Sequence, residues 1–282
     1  MSIRLISFAG TTLSIEYDGL TAARIVELLY QHVSTDYVSP VRVTYRLCSD
    51  DTSARVQLYR DETLLYDGHC AGSVAELLLG DSCYQLAAHC HTGLLFHAAA
   101  LSGRGRTLIL PGTSGAGKST LTAWLISQGF DYLSDELVFV PWQTNTIQAF
   151  TRPLSLKKPA RLVLSRCFDY EAQADSLLSS NYVDLVPPTL LSSNRREGVT
   201  RKAGNNPIII FPQYQNRTHF EWQPLSPARA GLALMTHLIN ARNLPDHGFG
   251  EIARIAGCIP AYNLSYSGFD HLTDKFELVI AV

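Results

Sequence analysis

The sequence predicts an α/β fold: a small β-rich lobe, then a larger domain in which strands and helices alternate. Three observations lead there. Residues 3–66 carry several short, alternating apolar runs separated by turn residues, with one amphipathic stretch among them. From residue 94 onward, strand-sized apolar runs are interleaved with helix-length segments, the pattern of helices packed on a sheet. Between them, residues 107–128 pass from a buried apolar run through a glycine-bearing turn straight into a helix. The expected boundary puts residues 1–92 in the lobe with its connecting helix and residues 93–282 in the second domain.

Composition narrows the class. The chain has 282 residues and a formal net charge of −2, with a pI near 6.5. Nothing in that balance points to nucleic acid or an anionic membrane as partner. No apolar run approaches the ~20 residues of a membrane span, and the first residues lack the charged and long apolar regions of a signal peptide. Cys48, Cys70, Cys83, Cys90, Cys167 and Cys258 are scattered without a C-x-x-C, as reduced thiols would be. The expectation is a cytoplasmic globular enzyme.

In the lobe, residues 4–8 and 13–17 flank Gly10-Thr11-Thr12 and read as a hairpin. Thr21 is placed to cap a helix from Ala22 to about His32, with Ala23, Ile25, Val26, Leu29 and Tyr30 on one face. Residues 41–47, 54–60 and 62–66 read as further strands. Ser73 then caps a helix reaching toward His91. His89-Cys90-His91 brings metal-ligand types together, but neighbouring helix positions point in different directions and no second ligand cluster accompanies them.

Residues 94–101 form an apolar run ending at Ser102-Gly103-Arg104-Gly105, the first leg of a hairpin whose second leg is residues 107–110. His97 is the polar side chain in that run. Most such histidines are hydrogen-bonded core residues.

The second leg leads into Gly112, Thr113, Ser114, Gly115, Ala116, Gly117, Lys118, Ser119 and Thr120. Gly112 and Gly117-Lys118-Ser119 fill the template G-x-x-x-x-G-K-[ST] in the strand–loop–helix setting that it requires. The glycines let backbone N–H groups close on a phosphate. The helix start adds partial positive charge, Lys118 reaches the outer phosphates, and the Ser119 hydroxyl can sit on Mg²⁺. The helix runs to about Gln128, with Gly129 as its stop. These residues read as a nucleoside-triphosphate site, the P-loop, with ATP and Mg²⁺ as its cofactors.

After the helix, Asp135 and Glu136 interrupt a strand-like stretch, residues 130–140. Buried acids are costly without a cation or a proton-transfer partner. A phosphate-transfer site needs a carboxylate near Mg²⁺ and another to take the proton of an attacking hydroxyl. A solvated turn between two short strands is the competing reading.

Phe96-His97, the 112–119 loop, the helix after it and Leu133-Ser134-Asp135-Glu136 together resemble the core of HPr kinase/phosphorylase. They resemble more closely the HPr-kinase-related proteins of bacterial gene clusters. The resemblance spans residues 94–140 and does not reach the first 70. It implies a P-loop kinase core of HPr-kinase type, with Asp135, His97 and Lys118 catalytic. On that pattern Asp135 activates a seryl hydroxyl, His97 contacts Asp135, and Ser119 with Glu136 holds Mg²⁺. Two features depart from the family: Glu136 stands where it carries Asp, and its Gly-rich signature after the acids is missing. Neither phosphorylase activity nor HPr as substrate is therefore expected.

Farther on, Arg152, Lys157 and Lys158 form a basic cluster that could contact phosphate, Arg152 and Lys157 foremost. Residues 170–206 are rich in Ser, Pro, Asn and Arg and read as a mobile loop. Strands are expected at 207–211, 218–222 and 261–266, and helices at 226–241, 250–257 and 269–280. The functional expectation is an ATP-dependent kinase acting on a serine-type hydroxyl of a protein or peptide. The alternatives are a small-molecule hydroxyl kinase on the same core, and a nucleotide-binding regulatory or assembly protein. A homo-oligomer is compatible with each.

Overall fold

The hairpin forms as its alternation dictates: β1 (Ser2–Phe8) and β2 (Thr11–Asp18) pair antiparallel, from Ser2 opposite Tyr17 to Phe8 opposite Thr11. The computed structural model describes residues 1–33, 35, 39–192, 206–215, 220–270 and 272–273. Helix α1 (Leu20–Tyr30) buries Ala22, Ile25, Val26, Leu29 and Tyr30. Thr21 is not its cap. The Asp51 carboxylate accepts from the N–H groups of Leu20 and Thr21 at 2.7 and 3.0 Å, and Ser49 Oγ from that of Ala22 at 3.2 Å. Groups remote in sequence thus satisfy the exposed helix start. Strands β3 (Val41–Asp50), β4 (Arg55–Arg60) and β5 (Thr63–Gly68) complete a five-stranded sheet in chain order. Its one parallel step, β2 to β3, is the one that α1 bridges. Helix α2 (Ala71–Ala88) follows.

The chain then builds a second sheet. Strands β6 (Gly93–Gly103) and β7 (Arg106–Pro111) are the expected hairpin, closing with Ala98 opposite Pro111. After the glycine loop come α3 (Lys118–Ser127), β8 (Asp131–Pro141) and the short β9 (Gln148–Ala149). Strand β8 lies antiparallel on the other edge of β6.

Residues 151–190 return to the first unit. Strands β10 (Leu154–Lys157), β11 (Leu178–Ser179) and β12 (Val183–Val186) form a sheet ordered β10-β12-β11, with α4 (Ala160–Leu164) between the first two. The described part of the expected mobile loop is therefore packed structure. Leu177, Leu178, Leu185, Val186 and Leu191 are buried. Buried Asp184 accepts from Lys158 Nζ at 2.5 Å, Arg161 Nε at 2.7 Å and Ser179 Oγ at 2.6 Å. A composition rich in Ser and Asn misled here, because apolar residues at alternate positions suffice for short strands. Residues 193–205 of that loop lie outside the described residues.

The last segment completes the second sheet with β13 (Pro207–Tyr214), β14 (Glu221–Pro224), α5 (Pro227–His237), α6 (Phe249–Cys258) and β15 (Ala261–Tyr266). Ser226 Oγ caps α5 as expected, but the helix ends at His237 rather than near residue 241. Most of the helix expected over 269–280 lies outside the described residues. Strand order is β14-β15-β13-β7-β6-β8-β9, with β15, β13 and β7 parallel. One face packs Phe96, Ala98, Ile109, Val138, Ile209 and Phe211 against Ala230 and Leu234 of α5 and Ile252 and Ile255 of α6.

The chain thus forms two units, Met1–His91 with Thr151–Leu190, and Thr92–Phe150 with Leu191–Val282. A single boundary near residue 92 does not describe this division, since residues 151–190 group with the N-terminal unit. Among the described residues the six cysteines form no disulfide, and no helix is long and apolar enough to cross a membrane.

Candidate active site at the glycine loop

The loop begins where β7 ends, and two glycines set its shape. A Cβ on Gly112 would lie 3.1 Å from Lys118 Cγ and 3.3 Å from Ala116 Cβ. Glycine is what lets the lysine stem pass across the loop's start. Gly117 stands at φ +91, and a Cβ there would come within 2.5 Å of the Tyr266 hydroxyl. The loop is anchored through its carbonyls. Thr113 O accepts from Ala116 N–H at 3.2 Å, Ala116 O from Tyr214 N–H at 3.1 Å, and Gly117 O from Leu121 N–H at 2.8 Å. The buried Tyr266 hydroxyl also donates to Gly117 O, at 3.3 Å; burial raises its pKa and keeps it a donor. With the carbonyls so engaged, the N–H groups of Lys118, Ser119 and Thr120 precede the first intrahelical bond of α3 and face outward from its start. Thr113, Ser114 and Gly115 are exposed, and Ala116, Gly117, Ser119 and Thr120 half-buried.

Lys118 is not solvent-facing, as a loop residue would be expected to be. It is only 6% exposed, and its Nζ lies 3.2 Å from His97 Nε2. The same Nε2 lies 3.0 Å from Glu136 Oε1. A ring nitrogen can accept from the lysine or donate to the carboxylate, but not both at once. Lysine, histidine and acid therefore meet at one atom with two exclusive hydrogen-bond arrangements.

The two acids take different positions from those the resemblance implies. His97 contacts Glu136, not Asp135. The β6–β8 register sets Ala98 opposite Glu136 and Ala99 opposite Asp135. On strict alternation Asp135, not Glu136, would share a face with His97. However, Glu136 has φ +101, and leaving the extended region takes its side chain out of alternation, where it reaches His97. Ser134 braces the kink, its buried Oγ lying 2.5 Å from Leu137 O and 3.1 Å from Phe150 O, two carbonyls that share its one proton. Asp135 is fully buried, whereas the Glu136 side chain is 40% exposed.

A second histidine joins the site from α5. Strand β7 leaves β6 at Ala98, so residues 93–97 have a free edge on that side. The end of α5 fills it: Leu238 bridges to Phe96, Ile239 N–H donates to Leu95 O at 2.9 Å, and Asn240 bonds Leu95 N–H and Gly93 O, each at 2.9 Å. Antiparallel register from that bridge sets His237 beside His97. Burial, reinforced by the nearby His97 and Lys118, lowers the His237 pKa below its ordinary value. Its ring lies 6.1 Å from that of Phe211. Nothing in the sequence pairs residues 97 and 237, which are far apart along the chain.

Chemically, the loop offers N–H donors and a lysine to an oxyanion, and Ser119 and Glu136 offer hard oxygens of the kind Mg²⁺ takes. Among the described residues no group of three His, Cys, Asp or Glu side chains could hold a metal alone. That donor set suits an ion carried mainly by phosphate and water. Arg152 and Lys157 belong to the other unit. There Arg152 is buried and donates to Pro153 O and Ser155 Oγ, while Lys157 is exposed.

No protein-family model matches the chain, and no curated protein matches its sequence. Among solved structures the chain is similar to the HPr(Ser) kinase/phosphatase from Coxiella burnetii. That match has 12% identity and a TM-score of 0.31, over 66% of this chain and 92% of that one.

Proposed function

We propose that the second unit is a P-loop phosphotransferase that moves the γ-phosphate of ATP, with Mg²⁺, to a serine-type hydroxyl on a protein or peptide. The observation that carries the reading is the meeting of Lys118, His97 and Glu136 beside the glycine loop. A site that only bound phosphate would use Lys118 and the loop amides but would have no need of a histidine-held carboxylate beside them. Bound Mg·ATP supplies the transferable phosphoryl group and charge neutralisation at the phosphates. Lys118 and the N–H groups at the start of α3 bind phosphate oxygens. In the resting arrangement the unprotonated Nε2 of His97 accepts from Lys118 and the ring proton sits on Nδ1; when the lysine turns to phosphate, proton exchange with solvent converts the ring to its Nε2–H tautomer, which donates to Glu136 Oε1. Glu136 then presents its other oxygen to the acceptor hydroxyl and takes its proton as the hydroxyl oxygen attacks the γ-phosphorus and the bond to the departing ADP breaks. Asp135 is fully buried and, away from His97, takes no part in this proton transfer.

Lys118→Met tests the assignment, because methionine keeps an apolar stem over Gly112 and removes the ammonium. Transfer from γ-labelled ATP should fall on the order of 10²–10³-fold, the usual loss when one electrostatic donor is removed, with unchanged thermal unfolding. A folded variant transferring phosphate at the wild-type rate would sink the proposal.

A further inference from the structure

On the side of the loop away from Glu136, the ends of β13 and β15 carry aromatic rings with no part in the proposed transfer. Tyr214 ends β13 and is 42% exposed, although its backbone N–H is bonded to Ala116 O. Its Cβ would lie 3.0 Å from a Cβ on Gly117, so the ring rises directly beside the loop. It stands edge-on to Tyr266, with centroids 5.7 Å apart. The row continues from Tyr266 to Phe269 at 6.3 Å and from Phe269 to Trp124 of α3 at 5.0 Å. Tyr266 and Trp124 are buried, whereas Tyr214, at the end of the row beside the loop, is exposed.

Strand order gives the row a direction. Strands β6 and β8, with His97 and Glu136, lie on one side of β7; β13 and β15 lie on the other. Lys118 Nζ, His97 and Glu136 mark the end where the terminal phosphate is transferred. A phosphate chain along the start of α3 therefore leads away from them toward β13. Whatever is attached to its far end emerges beside Tyr214.

We propose that Tyr214 is the nucleobase platform of this site, its exposed face stacking on the base of a nucleoside triphosphate whose phosphates lie in the 112–118 loop. This rests on the nucleotide reading above and adds where the base sits. Stacking tolerates base identity, because every base presents a π-face, so ATP and GTP should bind with similar affinity. Removing the ring should weaken nucleotide binding roughly 5- to 150-fold.

The test is calorimetric titration of the full chain with Mg·ATP and, separately, Mg·tripolyphosphate, which has the phosphates but no base. Tyr214→Ala should weaken ATP binding by that factor and leave tripolyphosphate binding unchanged, and Tyr214→Trp should restore ATP affinity. Equal weakening of both probes would mean that Tyr214 only props the loop, and unchanged ATP affinity would mean that the ring meets no base; either overturns the inference. A wild-type chain binding both probes equally well would also overturn it while leaving the phosphate site intact. Binding of neither probe would instead overturn the nucleotide reading itself. The wild-type comparison and the Trp variant decide the matter even if the Ala variant does not fold.

Discussion

Glu136→Gln and Asp135→Asn should separate chemistry from structure in adjacent residues. In Glu136→Gln the amide oxygen can still accept from His97 Nε2–H, as Oε1 does at 3.0 Å. The two side chains are 24% and 40% exposed, so their pairing contributes at most about 1 kcal/mol and stability should scarcely move. The group that accepts the proton is lost, and transfer should fall ~10²–10⁴-fold. Asp135→Asn does the reverse. At a fully buried position, the substitution introduces a two-proton amide donor, and a buried donor left without an acceptor costs about 1–3 kcal/mol. Against a usual stability of ~5–15 kcal/mol the protein stays folded, and the folded fraction should transfer phosphate at the wild-type rate. Urea unfolding reads the first quantity. Single-turnover phosphate release from γ-labelled Mg·ATP, to water or to added serine peptides, reads the second. Wild-type stability with a hundredfold slower rate in Asp135→Asn, together with a normal rate in Glu136→Gln, would refute the reasoning and return the proton to Asp135.

Asn240→Ala should destabilise the chain by about 2–4 kcal/mol, because both amide bonds to the buried edge of β6 are lost; a change within 0.5 kcal/mol in urea unfolding, about the scatter of surface substitutions, would show that this edge is held otherwise. Asp184 supplies a pH test. Burial alone would raise its pKa, but bonds from Arg161, Lys158 and Ser179 together hold it down at about 2, against 3.8 for the free side chain. The unfolded chain therefore binds the proton first on acidification, so the stabilisation is complete above pH 3.8 and lost as pH falls toward 2. Asp184→Asn should cost about 2 kcal/mol at pH 7, and the gap from wild type should close between pH 4 and pH 2; a gap constant across that range would contradict the assignment.

Residues 93–141 were legible because their information is local. An apolar run followed by Gly112, Gly117 and Lys118 specifies strand, loop and helix from neighbours alone, and β6, β7, α3 and β8 fall where that reading puts them. Hairpin β1–β2 and the Ser226-Pro227 start of α5 were readable for the same reason: a turn or a cap is a matter of a few adjacent residues. Local rules failed where a distant group could do the same work. Asp51 and Ser49 cap α1 in place of Thr21 because a helix start accepts any well-placed oxygen, whatever its place in the chain.

By itself, then, the sequence determined the periodicities, the glycine positions and the residue types gathered at one loop, since these depend on spacings of a few residues. Only the tertiary structure decided which acid meets His97, because a positive φ at Glu136 breaks the alternation on which any face assignment depends. Only it brought His237 beside His97, through a bridge between Phe96 and Leu238, and joined residues 151–190 to the N-terminal unit. Such pairings depend on which chain fills a free strand edge, and that is settled by packing among segments far apart in sequence.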